Sequence, residues 1–266
     1  MKDVHIFGVL GAGQMGRGIA HVFAYAGYDV KIVDFKERPA NESEALLADA
    51  KGEIKENLDF LISLNVLTKD DAAATLTRVT GIPVADAEDC LSEADYVFEG
   101  VPETLEAKKD AIGRVSKIMK PQGILASTTA TILSTALAEF SLRPSHFMNA
   151  HFLNPAYLIP LVEVSPSDQT EEAVTSRFVD LLKDIGKVPV RCKAAPGYIV
   201  PRLQSLVMSE ACRMVEQGVA TAEDIDSAVR CGFGLRFATM GPLEFVDWGG
   251  LDILYYANIT VHFRLF

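Results

Sequence analysis

Apolar positions along this chain follow two alternating rhythms. Short continuous apolar runs at residues 4–10, 29–33, 78–82, 95–100, 123–127, 146–152, 161–164 and 188–192 have the length and composition of strands covered on both faces. Between several of them the spacing lengthens to three and four residues, which predicts helices. The clearest such segment is 42–64, where Leu47, Ala50, Ile54, Leu58, Leu61 and Ile62 share one face of an otherwise charged stretch. Thr68, with Asp71 three residues on, opens a second helix in the manner of a capping box. The pair reads as a helical hairpin inserted between early strands, and packing against the sheet is preferred over projection toward a long ligand. After Pro196 and Gly197 the pattern is mainly helical, over 199–217, then 221–229 behind a Thr-x-x-Asp start, then 251–257. The expected fold is α/β with a large, mostly parallel sheet in residues 1–194 and a smaller all-α domain in 195–266. No internal repeat or low-complexity tract interrupts it.

One junction in that pattern carries chemistry. Gly11, Gly13 and Gly16 lie between the first strand and a helix expected over 14–26, so that Gln14 and Met15 open the helix. Gly11 permits a tight turn, Gly13 lets backbone approach a phosphate, and Gly16 lets the helix lie close to the sheet. The free N–H groups and positive dipole end of that helix then face an anion. The next strand ends in Asp34, eighteen residues past Gly16. An acid there accepts a hydrogen bond from an adenosine ribose hydroxyl and repels a 2′-phosphate, which favours NAD over NADP. Lys36 and Arg38, just beyond, could instead hold such a phosphate, and Asp34 makes that the minor reading.

Composition narrows the class further. With 266 residues, 49% hydrophobic and 23% charged, the chain can bury a large core. A net charge of −11 argues against a nucleic-acid or acidic-membrane surface. Cys90, Cys192, Cys212 and Cys231 form neither a CxxC pair nor a Cys/His cluster, so no metal site and no disulfide framework is expected. The first strand starts too early to leave room for a signal peptide, and no apolar run approaches the ~20 residues that span a bilayer. A cytoplasmic protein is the expectation.

The second chemical feature is a histidine and a glutamate in apolar company. His151 ends one strand and Glu163 lies within the next, between Val162 and Val164. A carboxylate buried there is costly unless paired, and an imidazole within reach would supply the partner while the carboxylate fixes the ring tautomer. Such a pair makes a general base able to take a proton from an alcohol. The competing reading is a core histidine with an outward-facing glutamate. Neither HxxxH nor HExxH occurs near His151, so zinc-dependent oxidation has little support.

The run Gly11-Ala12-Gly13-Gln14-Met15-Gly16-Arg17-Gly18-Ile19-Ala20, the segment Phe98 to Leu105 with Lys108, then His151-Phe152-Leu153-Asn154-Pro155 and Pro196-Gly197-Tyr198-Ile199-Val200 together resemble the L-3-hydroxyacyl-CoA dehydrogenase family. The resemblance spans nearly the whole chain in order. It implies NAD-dependent, reversible oxidation of a 3-hydroxyacyl-CoA, of short chain such as 3-hydroxybutyryl-CoA, to the 3-ketoacyl-CoA. It also implies a Rossmann-like domain with the helical insert near CoA, followed by a smaller helical domain that makes a homodimer. By position it makes His151 the base and Glu163 its orienting partner. Glu103, Lys108 and Asn154 then lie around the nicotinamide, and Ser127, Ala130, Thr131 and Pro201 stand at substrate positions.

Two of those positions depart from the family pattern. The serine expected to hydrogen-bond the substrate oxygen is Ala130, beside Thr131, and the asparagine expected near the start of the first C-terminal helix is Pro201. Proline suits a first helical turn but donates nothing, and losing a positioned donor commonly costs ~10²–10³ in turnover. The chain also ends earlier than the family pattern. A dehydrogenase for a small non-CoA hydroxy acid, gulonate- or carnitine-like, and a catalytically weak, crystallin-like NAD-binding protein are the alternatives.

Overall fold

The computed structural model describes residues 6–262; positions 4 and 5 of the expected first strand, and residues 263–266, lie outside the described residues. By its internal contacts the chain divides into two units, Met1–Arg202 and Leu203–Phe266.

The first unit is built on eight strands: β1 (Ile6–Leu10), β2 (Asp29–Val33), β3 (Val79–Ile82), β4 (Tyr96–Glu99), β5 (Ile124–Ser127), β6 (Phe147–Phe152), β7 (Leu161–Pro166) and β8 (Val188–Arg191). They form one sheet in the order β3-β2-β1-β4-β5-β6-β7-β8. Every neighbouring pair is parallel except β6 with β7, which run antiparallel. Continuous apolar character predicted burial on both faces, and the packing shows why. Phe7 and Val9, Tyr96 and Phe98, Ile124 and Ala126, and Met148 and Ala150 fill one core, whereas Leu10, Val97, Leu125 and Phe147 fill another. Successive residues alternate between the two faces of a strand, so each strand serves both layers.

Helices α1 (Gln14–Tyr25), α2 (Ala40–Ser63), α3 (Lys69–Thr77), α4 (Ala87–Leu91), α5 (Leu105–Ile118), α6 (Ser134–Ala138) and α7 (Glu172–Asp184) cover those faces. Side chains of α1, α2 and α7 join the first core and those of α4, α5 and α6 the second. The α2–α3 hairpin is a packed layer: Ile54, Leu58 and Leu61 are buried, and Glu53 pairs with Arg17 of α1. Thr68 and Asp71 exchange the capping-box hydrogen bonds that the spacing predicts.

The second unit contains most of α8 (Val200–Glu216) together with α9 (Ala222–Val229), α10 (Leu235–Phe237), α11 (Pro242–Gly249) and α12 (Leu251–His262). Its apolar side chains are largely uncovered: Leu206, Leu235, Leu243, Trp248 and Leu251 are each exposed by 65% or more. Among the described residues no helix is long and apolar enough to cross a membrane.

One buried titratable group in the first unit carries a measurable signature. His21 of α1 is 1% exposed, stacks on Tyr157 with ring centroids 4.8 Å apart, and has no hydrogen-bond partner at Nδ1 among the described residues. Burial first, then the nearby Lys187 charge, lowers its pKa to about 4. The folded-state value lies below the unfolded one, so the neutral ring favours folding above pH ~6.5. That contribution is lost as pH falls toward the folded-state value, by at most ~1.4 kcal/mol per pH unit. In His21→Phe, which keeps an aromatic partner for Tyr157, the melting temperature should fall less between pH 6.5 and 4.5 than in the unmodified protein. Parallel curves for the two proteins would contradict this.

Candidate active site

The carboxyl ends of β1, β2, β4, β5 and β6 meet at one edge of the sheet, and the sequence-predicted residues gather there. Chain order reverses direction between β1 and β4 in the sheet, which is where parallel α/β folds open a crevice for ligands. A cleft of about 970 Å³ lies along this edge, lined by Gly11 and Gly13, by Asp34, and by Gly100 and Val101 among others.

The glycines satisfy the geometry that a dinucleotide requires. Gly11 has φ +96° and a Cβ there would meet Gly100 O at 2.9 Å. A Cβ on Gly16 would stand 1.9 Å from Gly11 O, so only glycine lets α1 start this close to the strand. Gly13 has nothing within 4 Å of such a Cβ and opens onto the cleft. It is the N-cap of α1, with no side-chain cap and no acid in the first turn, which leaves the N–H groups at Gln14 and Met15 for an anion. Asp34, 2% exposed, stands at the end of β2 where the adenosine ribose is expected.

Antiparallel pairing of β6 with β7 places His151 directly opposite Glu163. Opposed residues share a face of the sheet, and the ring Nδ1 lies 2.7 Å from Glu163 Oε2. The other carboxylate oxygen, Oε1, accepts from the backbone N–H groups of Ile199 (2.9 Å) and Val200 (2.8 Å) at the entry to α8. Burial alone would raise the Glu163 pKa, but the His151 hydrogen bond and these two N–H groups outweigh it and hold it below the ordinary glutamate value. An ionised acceptor requires the proton on Nδ1, so in a neutral ring the lone pair is on Nε2, which has no hydrogen-bond partner among the described residues.

A second polar network supports the loop after β5. Glu103 Oε1 accepts from the hydroxyls of Thr129 and Thr131 and from the N–H groups of Ala130 and Thr131 (3.1 Å each). Burial works against its ionisation, yet the Thr129 hydrogen bond, the Lys108 charge and the Thr131 contacts keep its pKa low. Lys108, 1% exposed, bridges Glu103 Oε2 at 3.3 Å and Glu99 Oε1 at 3.0 Å. Glu99 is fully buried and also accepts from Ser127 Oγ at 2.6 Å and Val101 N at 2.9 Å.

These contacts redistribute several sequence-predicted positions. Ser127 is 0% exposed with its hydroxyl given to Glu99, so it lies beneath the surface of the site. Lys108 likewise reaches the edge only through Glu103. Thr131 Oγ1, beside Ala130, donates to Glu103 Oε1 at 2.9 Å. Asn154 is exposed just past β6, and Pro201 sits in the first turn of α8, where its missing N–H leaves no intrahelical gap.

Three contributors were not foreseen. Glu99 organises Lys108 and Ser127. Asn149, two residues before His151 in β6, is buried and donates Nδ2 to Thr129 O at 3.1 Å. Tyr198, at φ +46°, donates its hydroxyl to Ile132 O at 2.5 Å and ties the turn before α8 to the loop after β5. Asn149 was detectable as a second polar residue on the His151 face of an apolar strand.

Comparisons with known proteins agree with this geometry. Residues 6–195 match the family described as 3-hydroxyacyl-CoA dehydrogenase, NAD binding domain, and residues 197–264 match the corresponding C-terminal domain. A probable 3-hydroxybutyryl-CoA dehydrogenase of Deinococcus radiodurans is 37% identical over 92% of this chain and 84% of its own length. The structure of (S)-3-hydroxybutyryl-CoA dehydrogenase from Ralstonia eutropha superposes with a TM-score of 0.78 at 31% identity, over 87% of this chain and 78% of that one. An NAD+-dependent dismutase, 5-formyl-3-hydroxy-2-methylpyridine 4-carboxylic acid 5-dehydrogenase, gives 0.84 at 28% identity over 98% of this chain and 81% of the other. With both domain models matched in order over a glycine-cradled cleft and a His–Glu couple, the chain belongs to the NAD-dependent 3-hydroxyacyl-CoA dehydrogenase family of oxidoreductases.

Proposed function

We propose that this protein interconverts a short-chain 3-hydroxyacyl-CoA, such as 3-hydroxybutyryl-CoA, and its 3-ketoacyl-CoA, with His151 as general base. The observation that carries the reading is the 2.7 Å contact of His151 Nδ1 with a buried, ionised Glu163, which leaves Nε2 open at the carboxyl edge of the sheet. NAD, when bound, supplies the hydride acceptor. His151 Nε2 takes the substrate hydroxyl proton, and the imidazolium so formed keeps its Nδ1–H on Glu163, whose charge stabilises it. In the reverse direction the same nitrogen returns the proton to the new hydroxyl. Glu163 acts through His151 and is a positioning residue. Glu103, carried by Lys108 and Glu99, holds the 129–131 loop beside the reacting centre, and Gly11, Gly13, Gln14, Met15, Gly16 and Asp34 bind the cofactor, with Asn154 near its nicotinamide end. The short acyl chain is supported by the printed names of the Deinococcus and Ralstonia relatives.

Ala130 and Pro201 support a second reading, a small hydroxy acid without CoA. Neither supplies a side-chain donor where the family pattern has one, and the similar dismutase acts on a pyridine carboxylic acid derivative by its name. The uncovered apolar side chains of the helical unit support a homodimer.

Three outcomes test these readings. Acetoacetyl-CoA should be reduced with NADH while free acetoacetate is not, and His151→Ala should lose ~10²–10⁴ of kcat with NADH binding retained; full activity in that variant removes His151 as the base. Ala130→Ser should raise kcat with the thioester by about tenfold or more, since a positioned donor is worth ~10²–10³; no gain, together with turnover of a free hydroxy acid, favours the second reading. Sedimentation should give a dimer at micromolar concentration, which Leu206→Asp weakens; a monomer throughout contradicts the assembly.

A further inference from the structure

The acid that receives the adenosine ribose is not alone in its corner of the cleft. Asp34 Oδ2 accepts from Ser43 Oγ at 2.7 Å, and the same oxygen lies 2.8 Å from Arg38 Nε. That nitrogen is buried but has no hydrogen bond among the described residues, so the contact is an ion pair without an aligned donor. Asp34 Oδ1 has no partner among the described residues and remains available to a ribose hydroxyl. Lys36 is exposed on the same wall and forms no ion pair among the described residues. Arg114, by contrast, is occupied: its guanidinium lies 4.2 Å from the centre of the Phe35 ring, and it donates to Phe35 O and Asp110 Oδ2 at 3.1 Å each.

An acid after the second strand selects the unphosphorylated dinucleotide in two ways: it binds the ribose hydroxyl, and it repels a 2′-phosphate. The second works only while the carboxylate charge is unopposed. Here a guanidinium that donates no hydrogen bond among the described residues stands against it. Ser43 would keep Oδ2 hydrogen-bonded if Arg38 turned away, and a planar guanidinium is well suited to a phosphate.

We infer that Arg38, assisted by Lys36, lets this cleft accept the 2′-phosphorylated cofactor NADPH alongside NADH, and that Arg38 sets the ratio between them. The inference rests on the family's dinucleotide site and concerns only its adenosine end.

Calorimetric titration of NADH and of NADPH into the unmodified protein, Arg38→Leu and Asp34→Asn tests it by binding alone. The Kd ratio, NADPH over NADH, should be below ~10 in the unmodified protein and rise about tenfold in Arg38→Leu, a change of ~1.4 kcal/mol. It should fall in Asp34→Asn, where Arg38 is released from its carboxylate. Added salt should weaken NADPH more than NADH. An unmodified protein that binds NADH but not NADPH, or a ratio unmoved by Arg38→Leu, overturns the role of Arg38. A chain that binds neither overturns the dinucleotide site itself.

Discussion

A carboxylate held inside a sheet must find hydrogen-bond donors for both oxygens, and the arrangement around Glu163 follows from that requirement. One oxygen takes the His151 ring and the other takes two backbone N–H groups where the chain enters α8. Stripped of either set, the charge would be costly at this depth. The demand of a single buried anion thereby sets the tautomer of the His151 ring and holds the backbone at Ile199 and Val200, where α8 begins.

The same principle operates a second time at the same edge. Glu99, raised in pKa by burial, is kept in place by Lys108 and Ser127, and Lys108 in turn holds Glu103. Glu103 then gathers four donors from the loop after β5. The loop that carries Ala130 is therefore positioned through a chain of ionic contacts reaching back into the core. This network is intact although the hydroxyl the family pattern expects at Ala130 is absent, so the scaffold of the site and its donor set are separable.

Much of this was legible in the residues. Apolar runs placed all eight strands to within two residues at their described ends, because strands covered on both faces must be continuously apolar. The Gly11, Gly13 and Gly16 spacing located the cleft, since Gly11 and Gly16 answer steric demands that no other residue meets and Gly13 opens onto it. His151 and Glu163 stood out as polar residues in apolar company. What the pattern did not disclose was pairing direction: a run of apolar residues has no sign, and the reversal between β6 and β7 appears only when the 153–160 connection is seen to turn back. Ser127 and Lys108 were placed by resemblance at the ligand, yet their side chains point to Glu99, a residue whose importance is invisible without knowing that it is fully buried. Contacts between side chains far apart in sequence carry no periodic signature.

The reversal at β6 and β7 separates the two halves of the site in another respect. His151 and Glu163 are twelve residues apart and belong to adjoining strands of one hairpin, so their meeting closes a short loop. The cleft instead gathers residues from Gly11 to Arg114 beside the parallel pairing of β1 with β4. Local closure is kinetically cheap and long-range parallel pairing is slow. The His151–Glu163 couple is thus encoded in a segment of low contact order, while the cleft depends on parallel pairings between strands far apart in the sequence.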